Sequence, residues 1–217
     1  MSRLLNVTQC PIFAEGGDVK VTTDFGKNIT DYPTEGKVGD HWGLDVVRCT
    51  DGKNSKLATI VAIADGIVFA QRKYVKTYDS NGKKIMSPAQ GNCVYILHDD
   101  LRTITKYYHL ADDSVPDYIK DNVRVKKGDV LGYMGNTGYS YGSHCHFQVE
   151  YTDHPITDIN PKIEGTPIDP EPYLTGEKII LPLKYLVYAE YDSEDEAVAV
   201  ANALQALGLP FKVGELE

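Results

Sequence analysis

Histidine and aspartate recur in this chain at spacings that suit a metal ion. The first such segment reads Asp40-His41-Trp42-Gly43-Leu44-Asp45-Val46-Val47. Side chains on a strand alternate between its two faces. A strand here would set His41, Gly43 and Asp45 on one face and Trp42, Leu44 and Val46 on the other. The apolar face is expected to enter the core. The polar face offers an imidazole and a carboxylate, with a glycine between them that leaves room for an ion. The second segment reads Gly142-Ser143-His144-Cys145-His146-Phe147-Gln148-Val149. The same alternation groups His144, His146 and Gln148 and sends Cys145, Phe147 and Val149 inward. A glycine-rich stretch, residues 135–142, leads into it and suits tight turns and close backbone approach.

Two histidines and one aspartate make three protein ligands. They leave the fourth tetrahedral position of zinc to water, which is the pattern of a catalytic site rather than a structural one. Bound zinc lowers the pKa of that water to about 7. His98, beside Asp99-Asp100, and His154, before Pro155, lack such surroundings. They are expected to be surface or hydrogen-bonded core histidines.

These segments need strands to position them, and the chain is rich in strand and turn signals. Residues 1–17 read as loop, and 19–23 as a short strand. The apolar, β-branched run 57–64, the turn Asp65-Gly66 and the run 67–71 read as a hairpin. Residues 76–90 are polar with Asn81-Gly82 as a turn, and an exposed hairpin or loop is expected. Residues 92–98 and 103–110 read as strands about the turn Asp99-Asp100. Residues 123–125 and 130–134 read as another hairpin across Lys127-Gly128-Asp129. No long helix is expected before residue 190; the nearest candidate, 112–121, is short and contains Pro116. The prolines at 155, 161, 167, 170, 172 and 182 mark an irregular strap and linker. Beyond it, 183–188 reads as a strand. Ser193-Glu194-Asp195-Glu196 reads as a capping box opening a helix, Gly208 as its stop and 210–213 as a second strand.

Composition agrees with a β-rich globular body: 217 residues, 42% hydrophobic and 24% charged, with 19 Gly, 15 Tyr and 11 Pro. A formal net charge of -9 disfavours binding to the phosphate backbone of nucleic acid. No apolar run is long enough to span a membrane as a helix. The four cysteines, Cys10, Cys49, Cys93 and Cys145, are far apart and form no C-x-x-C pair, so buried thiols are expected, with any bridge left open.

Taken together, these motifs resemble the M23 metallopeptidases, the LytM or lysostaphin-like family. That family carries an H-x-x-x-D motif, a later strand with a catalytic histidine, and a G-x-T-G-x-S-x-G-x-H-x-H segment. The corresponding residues here are His41–Asp45, Tyr107-Tyr108-His109-Leu110, and the run from Gly135 to His146. Asp65-Gly66-Ile67-Val68, Lys127-Gly128-Asp129-Val130-Leu131-Gly132 and Ile168-Asp169-Pro170-Glu171-Pro172-Tyr173-Leu174 resemble further family elements, so the likeness spans roughly residues 18–174. It implies a mainly antiparallel β peptidase domain, taken as 1–174; the residues beyond it read, by their own pattern, as a linker over 175–182 and a small β-α-β appendage, or the start of a further domain, over 183–217. His41, Asp45 and His146 would be the ligands of one zinc ion, and His109 and His144 the catalytic histidines that bind no metal. Two departures are visible: Cys145 stands where leucine is usual, and Gln148 where glutamate is common.

The resemblance further implies hydrolysis of peptide bonds in bacterial peptidoglycan, in the stem peptide or the cross-bridge. The first ten residues lack the apolar core of a secretory signal. That fits either a phage lytic or virion enzyme or an exported enzyme whose signal has been removed. Tyr107 shares the predicted face of His109; a packed or exposed strand tyrosine is expected there, with groove lining as the alternative. Residues 76–90 and 139–141 are candidate groove walls. A non-catalytic LytM-like module that binds the wall or activates another hydrolase is the competing reading. Missing ligands would favour it, and none is missing. A lipoyl or biotinyl carrier would need a lysine at a hairpin tip in a D-K-A or M-K-M context, which the sequence lacks.

Overall fold

The computed structural model describes residues 2–5, 7, 10–26, 28–29, 39–73, 75–78, 84–87, 89–182 and 198. Met1–Leu181 form one compact unit and Pro182–Glu217 a second. The strands and helix expected after residue 182 lie outside the described residues.

In chain order the strands are β1 (Arg3–Leu5), β2 (Asp18–Thr23), β3 (Asn28–Ile29), β4 (Gly39–Asp40), β5 (Leu44–Thr50), β6 (Lys53–Asn54), β7 (Thr59–Val61) and β8 (Gly66–Arg72). They continue as β9 (Val75–Tyr78), β10 (Lys84–Ser87), β11 (Asn92–His98), β12 (Thr103–Leu110), β13 (Val123–Val125), β14 (Val130–Tyr133), β15 (Cys145–Tyr151) and β16 (Thr166–Ile168). A short helix, α1 (Glu171–Thr175), starts at prolines and ends at Gly176, whose φ of 82° makes a left-handed cap.

The main sheet is antiparallel and runs β1-β2-β5-β15-β12-β11-β8-β13, with β6 paired to β5 and β16 to β15. Strands β11 and β12 have the bounds that the sequence predicts. Strands β9 and β10 pair antiparallel, in line with the hairpin rather than the loop of the two expected forms. The other two expected hairpins do not form. Strand β7 pairs with β14, and β8 pairs with β13. At Asp65-Gly66 the chain turns a corner between sheets instead of reversing on itself. Gly66 allows this, because a Cβ there would meet Leu97 O at 2.5 Å.

Both faces of the sheet are covered. One packs on a core that includes Val19, Leu44, Val46, Ile60, Val94, Ile96, Tyr107, Phe147 and Val149. On the other, Phe69, Cys93, Tyr95, Leu97 and Ile104 pack with Ile156, Ile159 and Ile163 from the strap. Burying each large side chain of this kind contributes about 1.5–3 kcal/mol. All four cysteines are buried free thiols; burial pushes the Cys10 thiol up to about 12. His98 is buried, with Nδ1 donating to Asp65 O at 3.0 Å and Nε2 accepting from Thr105 Oγ1 at 2.8 Å. It is the hydrogen-bonded core histidine that the sequence predicts.

Candidate metal centre and groove

Strands β5, β12 and β15 lie side by side, and their register sets the site. His146 is opposite Asp45 on one side and Tyr108 on the other. In β15, Cys145, Phe147 and Val149 enter the core as expected, which leaves His146, Gln148 and Glu150 on the opposite face. Leu44 and Val46 likewise turn inward, and Asp45 turns to the site.

His41 arrives differently from the expected strand alternation. Strand β5 begins only at Leu44. The irregular backbone before it is held by Gly26 N donating to His41 O at 2.7 Å. Trp42 therefore does not enter the core; it is 57% exposed and lines the groove. Gly43 makes room for an imidazole rather than directly for an ion. A Cβ there would lie 2.6 Å from both His146 Nε2 and Phe147 O.

His41 Nε2, Asp45 Oδ1 and His146 Nδ1 form a triangle with every side 3.0 Å. His41 Nδ1 lies 2.9 Å from Asp24 O, an acceptor only, so that nitrogen carries the proton and Nε2 has the lone pair. His146 Nε2 donates to Gln148 Oε1 at 3.3 Å, which leaves its lone pair on Nδ1. Three acceptors thus converge with no proton required between them, a repulsive arrangement unless a cation sits among them. A tetrahedral ion with bonds of about 2.0–2.1 Å holds its ligand atoms about 3.3 Å apart. The three residues fit such an ion with small adjustment.

Electrostatics agree. Burial alone would raise the Asp45 carboxyl, but contact with the imidazoles of His144, His146 and His41 holds it well below the usual carboxylate range. Burial lowers His146. His144 is opposed by burial, yet Asp45 Oδ1, 3.4 Å from its Nε2, raises it. Its Nδ1 also donates to Gly142 O at 2.7 Å.

His109 stands beside this group, its ring centroid 4.7 Å from that of His144. Burial, with the neighbouring His144 and His146, pushes it down to about 3. Its φ is 61°, in the left-handed region. That twist breaks the alternation of β12, where the register against β11 also shifts. Tyr107 consequently faces the core, fully buried, with its hydroxyl accepting from Ile63 N at 3.1 Å. Tyr108 lies in the groove instead and stacks on the His146 ring at 4.9 Å, nearly parallel.

The groove runs from these histidines over the floor formed by Tyr108, Gln148, Lys106, Glu150 and Tyr95, with a volume near 500 Å³. Ala89, Gln90 and Tyr139 form part of its wall, as expected for their segments. Residues 161–167 of the strap form another wall that sequence reasoning missed. Prolines signalled a strap there, but not which surface it covers. The buried pair Lys106–Glu150, at 2.5 Å, was also missed.

Residues 40–161 match the sequence profile of Peptidase family M23. The peptidoglycan DD-endopeptidase ShyC of Vibrio cholerae is 32% identical over 117 residues, 54% of this chain and 22% of that protein. An uncharacterized metalloprotease of Haemophilus influenzae is 27% identical over 148 residues, 68% of this chain and 26% of that protein. The chain thus spans about a quarter of the length of these two relatives. Among solved structures, one of the SpoIIQ–SpoIIIAH pore-forming complex superposes with a TM-score of 0.51 at 20% identity, covering 85% of this chain and 98% of that one, a likeness of fold alone.

Proposed function

Because this chain belongs to peptidase family M23, we propose that it is a zinc-dependent endopeptidase that hydrolyses peptide bonds in the stem peptide or cross-bridge of bacterial peptidoglycan. The observation that carries this is the 3.0 Å triangle of His41, Asp45 and His146 at the end of a groove that His109 also lines. Similarity to a peptidoglycan DD-endopeptidase supports the substrate class.

When bound there, zinc would polarise the scissile carbonyl and activate a water. The chain's own residues supply the rest. His109 holds a proton on Nδ1, donated to Thr137 O at 2.8 Å, which leaves Nε2 as the proton acceptor. His144 has an acceptor at each nitrogen, Gly142 O and Asp45 Oδ1, an arrangement that favours its protonated form. Its Nε2–H, which faces Asp45 Oδ1 at 3.4 Å, is the donor placed to turn to the developing oxyanion. Tyr108, Tyr95 and Trp42 offer flat apolar surfaces along which a peptide can lie. The proposed activity is the same whether a phage or its host encodes the chain.

Purified peptidoglycans of several cross-link types, digested with and without a chelator, test this reading. New amino termini identified by mass spectrometry, lost on chelation and restored by zinc, are expected. A folded, metal-replete protein that leaves every preparation intact overturns it.

A further inference from the structure

We infer that Gln148 is a positioning residue for His146, and that the buried Lys106–Glu150 pair is what requires glutamine rather than glutamate at that position. The inference rests on the reading of His41, Asp45 and His146 as metal ligands.

Four buried side chains form one line of hydrogen bonds. Lys106 Nζ donates to Glu150 Oε1 at 2.5 Å. Gln148 Nε2 donates to the same oxygen at 2.6 Å. Gln148 Oε1 accepts from His146 Nε2 at 3.3 Å. Glu150 Oε2 accepts from Gly165 N at 2.9 Å, which ties the strap to the same carboxylate. Lys106 and Glu150 are 8% and 4% exposed at their side chains, and Gln148 is 3% exposed.

The direction of this line follows from which groups can donate. A carboxylate paired with lysine only accepts. The end of Gln148 that meets Glu150 must therefore be its NH2, and the end that meets His146 must be its oxygen. That oxygen in turn requires the proton of His146 on Nε2. The lone pair is then on Nδ1, aimed at His41 Nε2 and Asp45 Oδ1. An ion pair on the groove floor thus sets the tautomer of a metal ligand through a single amide. Outer partners of this kind orient ligating histidines and raise their basicity.

The same geometry explains why glutamate does not suit position 148. A carboxylate there has no hydrogen to give Glu150. Two carboxylates would then share one lysine in a buried place, an arrangement that leaves a buried charge unpaired and destabilises the fold.

The test uses the full chain and zinc. Gln148→Met keeps the volume but cannot accept from His146. Zinc affinity, measured by competition with a chelator, is expected to fall about 10–100-fold. In the zinc-free protein, histidine 15N spectra should show His146 moving from the Nε2–H tautomer to a mixture. Gln148→Glu should lower the melting temperature of the zinc-free protein, and adding Glu150→Gln in the same chain should restore most of the loss. A Gln148→Met protein that binds zinc as tightly as the parent, or whose His146 keeps its proton on Nε2, overturns the inference. So does a Gln148→Glu protein as stable as the parent. Failure of the parent to bind zinc would sink the metal reading alone, because the tautomer and melting measurements need no metal.

Discussion

His109 Nδ1 lies 2.8 Å from the backbone oxygen of Thr137. A carbonyl only accepts, so this contact fixes the tautomer of His109 and leaves Nε2 with its lone pair. Thr137 is itself held, with its hydroxyl donating to Leu110 O at 2.6 Å and accepting from Asn92 N at 2.9 Å. The close approach depends on Gly91, where a Cβ would meet Thr137 Oγ1 at 2.4 Å. Since His109 is not in the ligand triangle, His109→Ala should retain zinc and lose about 10²–10⁴-fold in hydrolysis. Metal analysis of the purified variant beside its rate on peptidoglycan checks both halves. Loss of zinc along with activity would place His109 among the ligands.

His146→Ala removes a corner of the triangle and should abolish both zinc retention and hydrolysis. Asp45→Ala should do the same. It also removes the carboxylate that three imidazoles share. Equilibrium dialysis against zinc reads this directly. A His146→Ala protein with parent-like zinc content would refute the ligand assignment.

Gly43→Ala is a sharper probe, because it adds one methyl group and changes no charge. The new Cβ would meet the His146 ring and Phe147 O at 2.6 Å. Either the ring moves away from Asp45 or β5 and β15 separate locally. Zinc affinity should fall by more than tenfold, in line with a misplaced ligand, while the core around Leu44 and Val46 stays folded. Chelator competition together with thermal melting separates these outcomes.

Much of this site was legible as sequence, and the missed parts share a physical cause. His41 precedes β5 and shows only by its spacing from Asp45, whereas Asp45 and His146 are legible because alternation of apolar and polar residues is written in the sequence itself. Strands β11 and β12 were found for the same reason. Tyr107 and His109 do not share a face because the left-handed backbone of His109 inverts the alternation, and no residue type announces that inversion. Trp42 escapes the alternation because β5 starts only at Leu44, three residues after His41. The pairings of β7 with β14 and of β8 with β13 join strands distant in the chain, which local turn signals do not encode. Asp24 O and Thr137 O are backbone acceptors, which side-chain motifs do not reveal. The Lys106–Glu150 pair depends on the register of β12 against β15, which only the folded sheet sets.

Removing one partner of that pair gives a stability prediction. Lys106→Met leaves Glu150 buried with only Gln148 and Gly165 as donors. Breaking a buried pair in this way costs about 3–5 kcal/mol. Replacing both partners, as Lys106→Met with Glu150→Leu, should recover part of that cost. Denaturant unfolding of the single and double variants measures it. A single variant as stable as the parent would show that the pair is solvated in solution.

His98 gives the pH dependence. Burial lowers its pKa below the ordinary histidine value, opposed by its bond to Asp65 O and by Asp100 and Asp99. A histidine that is harder to protonate folded than unfolded binds fewer protons in the native state. Stability then rises with pH between the lowered folded value and the unfolded value of about 6.5. Above that window the contribution is constant, and as pH falls through it stability is lost. His98→Gln can still donate to Asp65 O or accept from Thr105, but it does not titrate. Urea unfolding of parent and variant at neutral and mildly acidic pH should therefore converge: the parent loses its advantage as pH drops below about 6.5. An advantage that stays constant across that range would mean that His98 titrates in the folded protein as it does in the open chain.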